Sequence, residues 1–154
     1  MVEINNQKIY IIDGAMGTEI QKRKLEPSHF LFNDILCEGF NDILSVNAPN
    51  IIKNIHIDYI ESGANIIETN TFNANYISAL DYELPNSIID DINYQSAVIA
   101  KEAAGLYPQK IYVAGVLGPT SKTLSMSPNV SDPSYRDISY QALLLAYKSA
   151  AKNL

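Results

Sequence analysis

Apolar positions along this chain alternate between two regimes. Short runs rich in β-branched and aromatic residues are separated by longer stretches in which apolar residues recur every three or four positions. The first short run is Lys8 to Asp13 (KIYIID), closed by Gly14. A short helix is predicted from Thr18, because Thr18 and Gln21 have capping-box spacing. The polar stretch from Pro27 to Gly39 reads as irregular. Asn47 is then the expected N-cap of a helix with Pro49 in its first turn, Ile52, Ile55 and Tyr59 on one face, and Gly63 as its stop. Asn65 to Asn70 (NIIETN) is the second strand. A third helical region, about Ser87 to Leu106, sets Ile92, Ile99, Ala103 and Leu106 on one face and ends before Pro108. The third strand is Ile111 to Val116 (IYVAGV). After a long loop with Gly118, Pro119, Pro128 and Pro133, a last helix opens near Ser139. Its apolar stripe is Tyr140, Leu143, Leu144, Tyr147, Ala151 and Leu154.

The order β-α-β-α-β-α, with connections long enough for crossover helices, predicts an α/β fold with parallel strands. A doubly wound sheet and a (β/α)8 barrel both fit. The last stripe is still running at Leu154 without a glycine cap, so the chain reads as one that breaks off inside a larger unit. The longest apolar runs, such as Ile9–Ile12 and Ala142–Tyr147, fall far short of the roughly 20 residues of a membrane span. No secretory pattern opens the chain, which makes the cytoplasm the expected compartment. Seventeen acidic against eleven basic side chains give a net charge of −6, which disfavours nucleic acid as a partner. The single cysteine, Cys37, excludes an internal disulfide and a self-contained thiolate zinc site.

Three unusual motifs sit at the ends of the three predicted strands: Asp13–Thr18 (DGAMGT), Asn70–Asn75 (NTFNAN) and Leu117–Thr123 (LGPTSKT). Parallel α/β folds bind ligands at the C-terminal ends of their strands, so the three loops suggest one shared pocket. Gly14 and Gly17 bracket a turn able to leave main-chain N–H groups open for a carboxylate or phosphate, and Asp13 suits an ammonium. The plain alternative is an Asp-Gly turn that ends a strand. Glu68 and Asn70 share a strand face, as ligand contacts or as a structural polar network. Thr120, Ser121 and Thr123 are hydroxyls of either kind. His56, within the second helix, reads as a surface or half-buried side chain, His29 as a loop residue, and Cys37 as a small apolar filler. Walker, dinucleotide-glycine and zinc-protease patterns are missing.

The segments DGAMGTEIQ (Asp13–Gln21), GFNDILSVNAPNIIKNIHIDYIESGANIIETNTFNAN (Gly39–Asn75) and VAGVLGPTSKTLSMSPNVSDPSYRDISY (Val113–Tyr140) resemble the N-terminal homocysteine-binding module of cobalamin-dependent methionine synthases. The resemblance runs from about Ile9 to Leu154. It implies that residues 1–154 are a partial domain, the first three βα units of a zinc-dependent (β/α)8 barrel. It further implies zinc held by three cysteines that the family places beyond residue 154, and homocysteine bound to that zinc as thiolate. The methyl group would come from methylcobalamin, recharged by 5-methyltetrahydrofolate on modules absent here, which makes the rest of the methionine synthase chain a partner. Carried over residue by residue, Asp13 and the N–H groups of Gly14, Ala15 and Met16 would hold the amino-acid end of homocysteine. Asn70, Thr71 and Thr120 would line the pocket. Cys37 falls where the family places no ligand, and Leu31–Cys37 departs from the family's usual loop. A stand-alone homocysteine methyltransferase with another donor, and a non-catalytic amino-acid-binding remnant, are the alternatives. With only three strands, the chain by itself is expected to be marginally stable, aggregation-prone and inactive.

Overall fold

The computed structural model describes residues 9–154. Its elements are α1 (Met16–Gln21), a hairpin of β1 (Leu31–Phe32) and β2 (Ile35–Leu36), α2 (Leu44–Asn47), α3 (Pro49–Glu61), β3 (Ile66–Glu68), α4 (Tyr76–Ala79), α5 (Asn86–Ala104), β4 (Tyr112–Ala114) and α6 (Tyr140–Asn153). β3 and β4 pair in parallel, with Ile67 opposite Val113. On the other side of β3, Ile12 bridges in parallel to Ile66. The mixed α/β architecture is as expected. The sheet is small and open, and among the described residues it does not close into a barrel.

The first predicted strand is therefore reduced to a bridge, and its Lys8 lies outside the described residues. Ile9, Ile11 and Ile12 are 86%, 55% and 51% exposed, so little packing holds this run extended. The first helix begins at Met16 instead of Thr18. Ala15 is its N-cap without a side-chain bond, and the Thr18 and Glu19 N–H groups both donate to the Ala15 carbonyl. The expected capping box cannot form because Thr18 is already inside the first turn. Asn47 ends α2 and does not cap α3, which starts after Ala48. Its amide is already committed, donating to the carbonyls of His29 and Leu31. The stretch expected to be irregular folds into a 3-10 turn, Pro27–Phe30, and the β1–β2 hairpin.

The stop of α3 follows its sequence closely. Gly63 has φ +106°, its N–H donates to the Ile60 carbonyl, and the Ala64 N–H reaches back to Tyr59. This is a Schellman motif, and the left-handed conformation explains the glycine. Ile52 and Ile55 of α3 pack with Leu44 and Ile99, while Ile60 joins Ile67 of β3 and Ala100 and Ala103 of α5. A third cluster, with Cys37, Phe40, Ile43 and Ile89, lies beneath the hairpin, so Cys37 does fill an apolar interior. Two predicted stripes are displaced. Leu106 is 60% exposed because α5 ends at Ala104. In α6 the buried positions are Ala146 and Ala150, with Tyr140 and Leu144 exposed. Small residues let α6 approach α4 and α5 closely. There Asp90 accepts from Tyr76, Ser149 and Asn153.

His56 departs most from its expected surface or half-buried placement. It lies one turn from Ile52 and one turn from Ile60, on the buried face, and is completely inaccessible. Both ring nitrogens lack a partner among the described residues. Burial pushes its pKa down to about 4. A histidine that ionises more readily unfolded than folded makes the protein lose stability as pH falls from about 6.5 toward 4. Urea titrations at pH 8 and pH 5 test this. The wild-type chain loses about 2 kcal/mol more on acidification than His56→Leu, which keeps the volume without the ionisable ring.

Candidate functional site

The turn after the first strand segment, the end of β3 and Val116, two residues past β4, border a cavity of about 360 Å³. Asp13–Gly17, Glu68–Phe72 and Val116 line it. One oxygen of Asp13 accepts the Glu68 N–H at 2.9 Å. The other, Oδ1, is buried with no partner among the described residues. Loss of solvent raises the Asp13 pKa to about 6, opposed by the Glu68 N–H and assisted by the Glu68 charge. The N–H groups of Gly14, Ala15 and Met16 have no acceptor among the described residues, as expected where a chain enters a helix. One wall thus offers carboxylates and the adjacent turn offers N–H donors, a pairing suited to a zwitterion. Gly14 packs closely on α3: a Cβ there would stand 3.2 Å from the Tyr59 hydroxyl, so that side chain would have to give slightly.

Of the residues singled out in the sequence, Asp13, Gly14, Ala15, Met16, Asn70 and Thr71 all border this cavity. Asn70 and Thr71 use their polar atoms elsewhere. The Asn70 amide donates to the Asn41 carbonyl and the Ser45 hydroxyl. Thr71 shares a 2.7 Å hydroxyl contact with Thr69 and donates to the Val116 carbonyl. Between the two readings of the Glu68–Asn70 face, the Asn70 side chain belongs to a structural network. Thr120 is not brought to this cavity. Its hydroxyl donates to the Lys122 carbonyl, and it lines a separate depression of about 280 Å³ with Asn73, Ser78, Asp81, Tyr82, Pro119 and Ser121. The single pocket expected from three loops is therefore built from two loops and Val116.

Thr69, Phe72 and Val116 were not anticipated as cavity residues. Strand alternation pairs Thr69 with Thr71 and was a usable signal. Phe72, an aromatic amid polar residues, was another. Asp42, which accepts the Asn73 N–H at 2.8 Å, left no trace in the sequence pattern. Among the described residues, no three His, Cys, Asp or Glu side chains lie together in a way that would hold a metal ion. His29 is engaged through Nδ1 with the Glu26 N–H, and Cys37 is fully buried. These residues do not fit a zinc site.

The sequence model of one family, homocysteine S-methyltransferase, matches residues 10–154. This chain belongs to that family. In fold it is similar to the homocysteine methyltransferase MmuM from Escherichia coli in its metallated form, with a TM-score of 0.69 and 23% identity over 97% of this chain. The oxidized form of the same enzyme gives 0.67 and 22% over 95%. The chain spans about half the length of those structures, 50% and 49%. In this member of the family the third loop is locked against the second. A Cβ on Gly118 would lie 1.9 Å from the Phe72 carbonyl oxygen, and the Gly118 carbonyl accepts the Tyr147 hydroxyl of α6. Gly118→Ala must displace backbone, and its cost is about 3 kcal/mol or more, at the upper end for overpacking. Chemical denaturation checks this. A loss below about 1 kcal/mol would show that the loops part easily.

Proposed function

We propose that this chain binds the amino-acid end of homocysteine as part of a cobalamin-dependent methionine synthase. The observation that carries the reading is the buried, unpartnered oxygen of Asp13 beside the open N–H groups of Gly14, Ala15 and Met16. A buried acceptor without a partner is costly and is favoured where a ligand supplies one. The ammonium of homocysteine meets Asp13, with Glu68 adding charge, and its carboxylate meets the three N–H groups. Thr71 and Asn70 hold the walls. The long third loop with SPNVSDP supports methionine synthase over simpler relatives. A stand-alone homocysteine methyltransferase with another donor is the second reading, supported by the likeness to the Escherichia coli enzyme.

Residues 1–154 then form the opening part of the homocysteine-binding domain, working in the cytoplasm. Zinc, when bound by residues other than those described here, supplies thiolate at neutral pH, where a free thiol is mostly protonated. Methylcobalamin as donor and 5-methyltetrahydrofolate as its source belong to other modules. The task of this chain is to hold and orient the amino acid.

Titration of the 15N-labelled chain with L-homocysteine under reducing conditions tests the reading. Shifts confined to the Gly14, Ala15, Met16 and Glu68 amides support it, and an unperturbed spectrum at high ligand concentration refutes it. Because the ligand ammonium prefers ionised Asp13, affinity rises as pH increases through about 6. From pH 5 to pH 7 the gain is about tenfold, the change in the ionised fraction of such a group. Asp13→Asn binds weakly and without this dependence. A full methionine synthase and a stand-alone enzyme are told apart by whether the intact protein uses methylcobalamin.

A further inference from the structure

The cavity is lined by apolar side chains as well as by the groups that suit a zwitterion. Phe72, Val116 and Met16 are among them. Phe72 is 58% exposed, an unusual state for an aromatic whose neighbours Thr71 and Ala74 are buried. Its backbone is held from three directions. The Asn41 carbonyl accepts the Asn70 amide, the next residue, Asp42, accepts the Asn73 N–H, and Gly118 lies against the Phe72 carbonyl. Two consecutive residues thus grip the loop on either side of Phe72.

We infer that Asp42 is a positioning residue: its buried carboxylate sets the 70–74 loop so that Phe72 forms the apolar wall receiving the ligand's side chain. The inference rests on the amino-acid reading of the cavity and extends it to the residue that sets the wall beside the ligand's side chain. Asp42 is 2% exposed; burial raises its pKa to about 7, opposed by backbone N–H groups that include those of Asn73 and Ala74 in the loop it holds. An aromatic face with a methionine beside it suits a thiol or thioether, since sulfur packs favourably against ring edges. Asp42 itself touches no ligand and acts through Asn73.

The test compares L-methionine, used as a stable probe with a thioether side chain, with L-alanine, which keeps only the zwitterion. Both are titrated into the intact wild-type protein and into its Phe72→Ala, Asp42→Ala and Asp42→Asn variants. Phe72→Ala, a change at an exposed side chain, lowers the preference for methionine over alanine about five- to tenfold, the contribution of one aromatic contact. Asp42→Ala lowers it similarly and accelerates hydrogen exchange at the Asn73 amide. Asp42→Asn keeps an acceptor for that amide and recovers most of both. Unchanged preference in Asp42→Ala, or equal weakening of both ligands, overturns the positioning role. If Asp42→Ala does not fold, an Asp42→Asn chain that fails to recover the preference overturns it as well. If the wild-type chain binds neither amino acid, the zwitterion reading itself falls, an outcome distinct from binding without discrimination.

Discussion

A buried web of hydrogen bonds between the 41–45 segment, the loop after β3 and helix α5 holds the working end of the molecule in place. The Ser96 hydroxyl lies 2.8 Å from the Ser45 hydroxyl and 3.2 Å from the Asn70 carbonyl. Asn93, fully buried, donates to the Ala74 carbonyl. Asp42 and Asn41 complete the grip from the other side. The loop has left the sheet here, so no neighbouring strand can pair its backbone, and buried backbone groups must find partners. Side chains supply them. Removing one member leaves its partner buried and unsatisfied, which costs about 1–3 kcal/mol.

Around this web the other ties follow. Thr69 and Thr71 fasten the end of β4, with the Val116 N–H donating to Thr69 and the Val116 carbonyl accepting from Thr71. Gly118 then lets the third loop cross the second at contact distance, and Tyr147 secures it to α6. At the outer side Asp90 gathers donors from α4 and α6. The cavity is thus bordered by backbone that cannot easily move. Within this rigid frame Asp13 keeps an unpaired oxygen and a raised pKa of about 6. A buried acceptor left without a partner at the border of a cavity is the pattern expected where local stability gives way to binding.

Much of the fold was legible because it depends on local chemistry. The second and third strands, the helix over 49–61 with its Gly63 stop, and the Ser139 cap of α6 lie within the segments their residues predict, while the first strand survives only as the Ile12–Ile66 bridge. Asp13–Met16 were identifiable because a strand followed by Asp-Gly and a helix leaves N–H groups open whatever surrounds it. The failures share one cause. Asn47, Thr18 and Asn70 are residues with side chains that can bond in several ways, and which way depended on neighbours far along the chain. Asn47 turned to the 29–31 segment instead of capping α3. His56 looked unremarkable by type, yet its position one turn from two core isoleucines buried it.

By itself the sequence determined the alternation of strand and helix, the parallel connection, the acidic charge and the turn that follows Asp13, because each follows from periodicity, backbone geometry or composition. Tertiary structure decided which loops share a cavity. It placed Thr120 in a different depression, brought Phe72 and Val116 beside Asp13, and assigned Asp42 to a loop about thirty positions away, Asn73 being 31 residues on. Contacts of that separation come from how helices pack on a sheet, a property of the assembled chain that no local pattern of residues encodes.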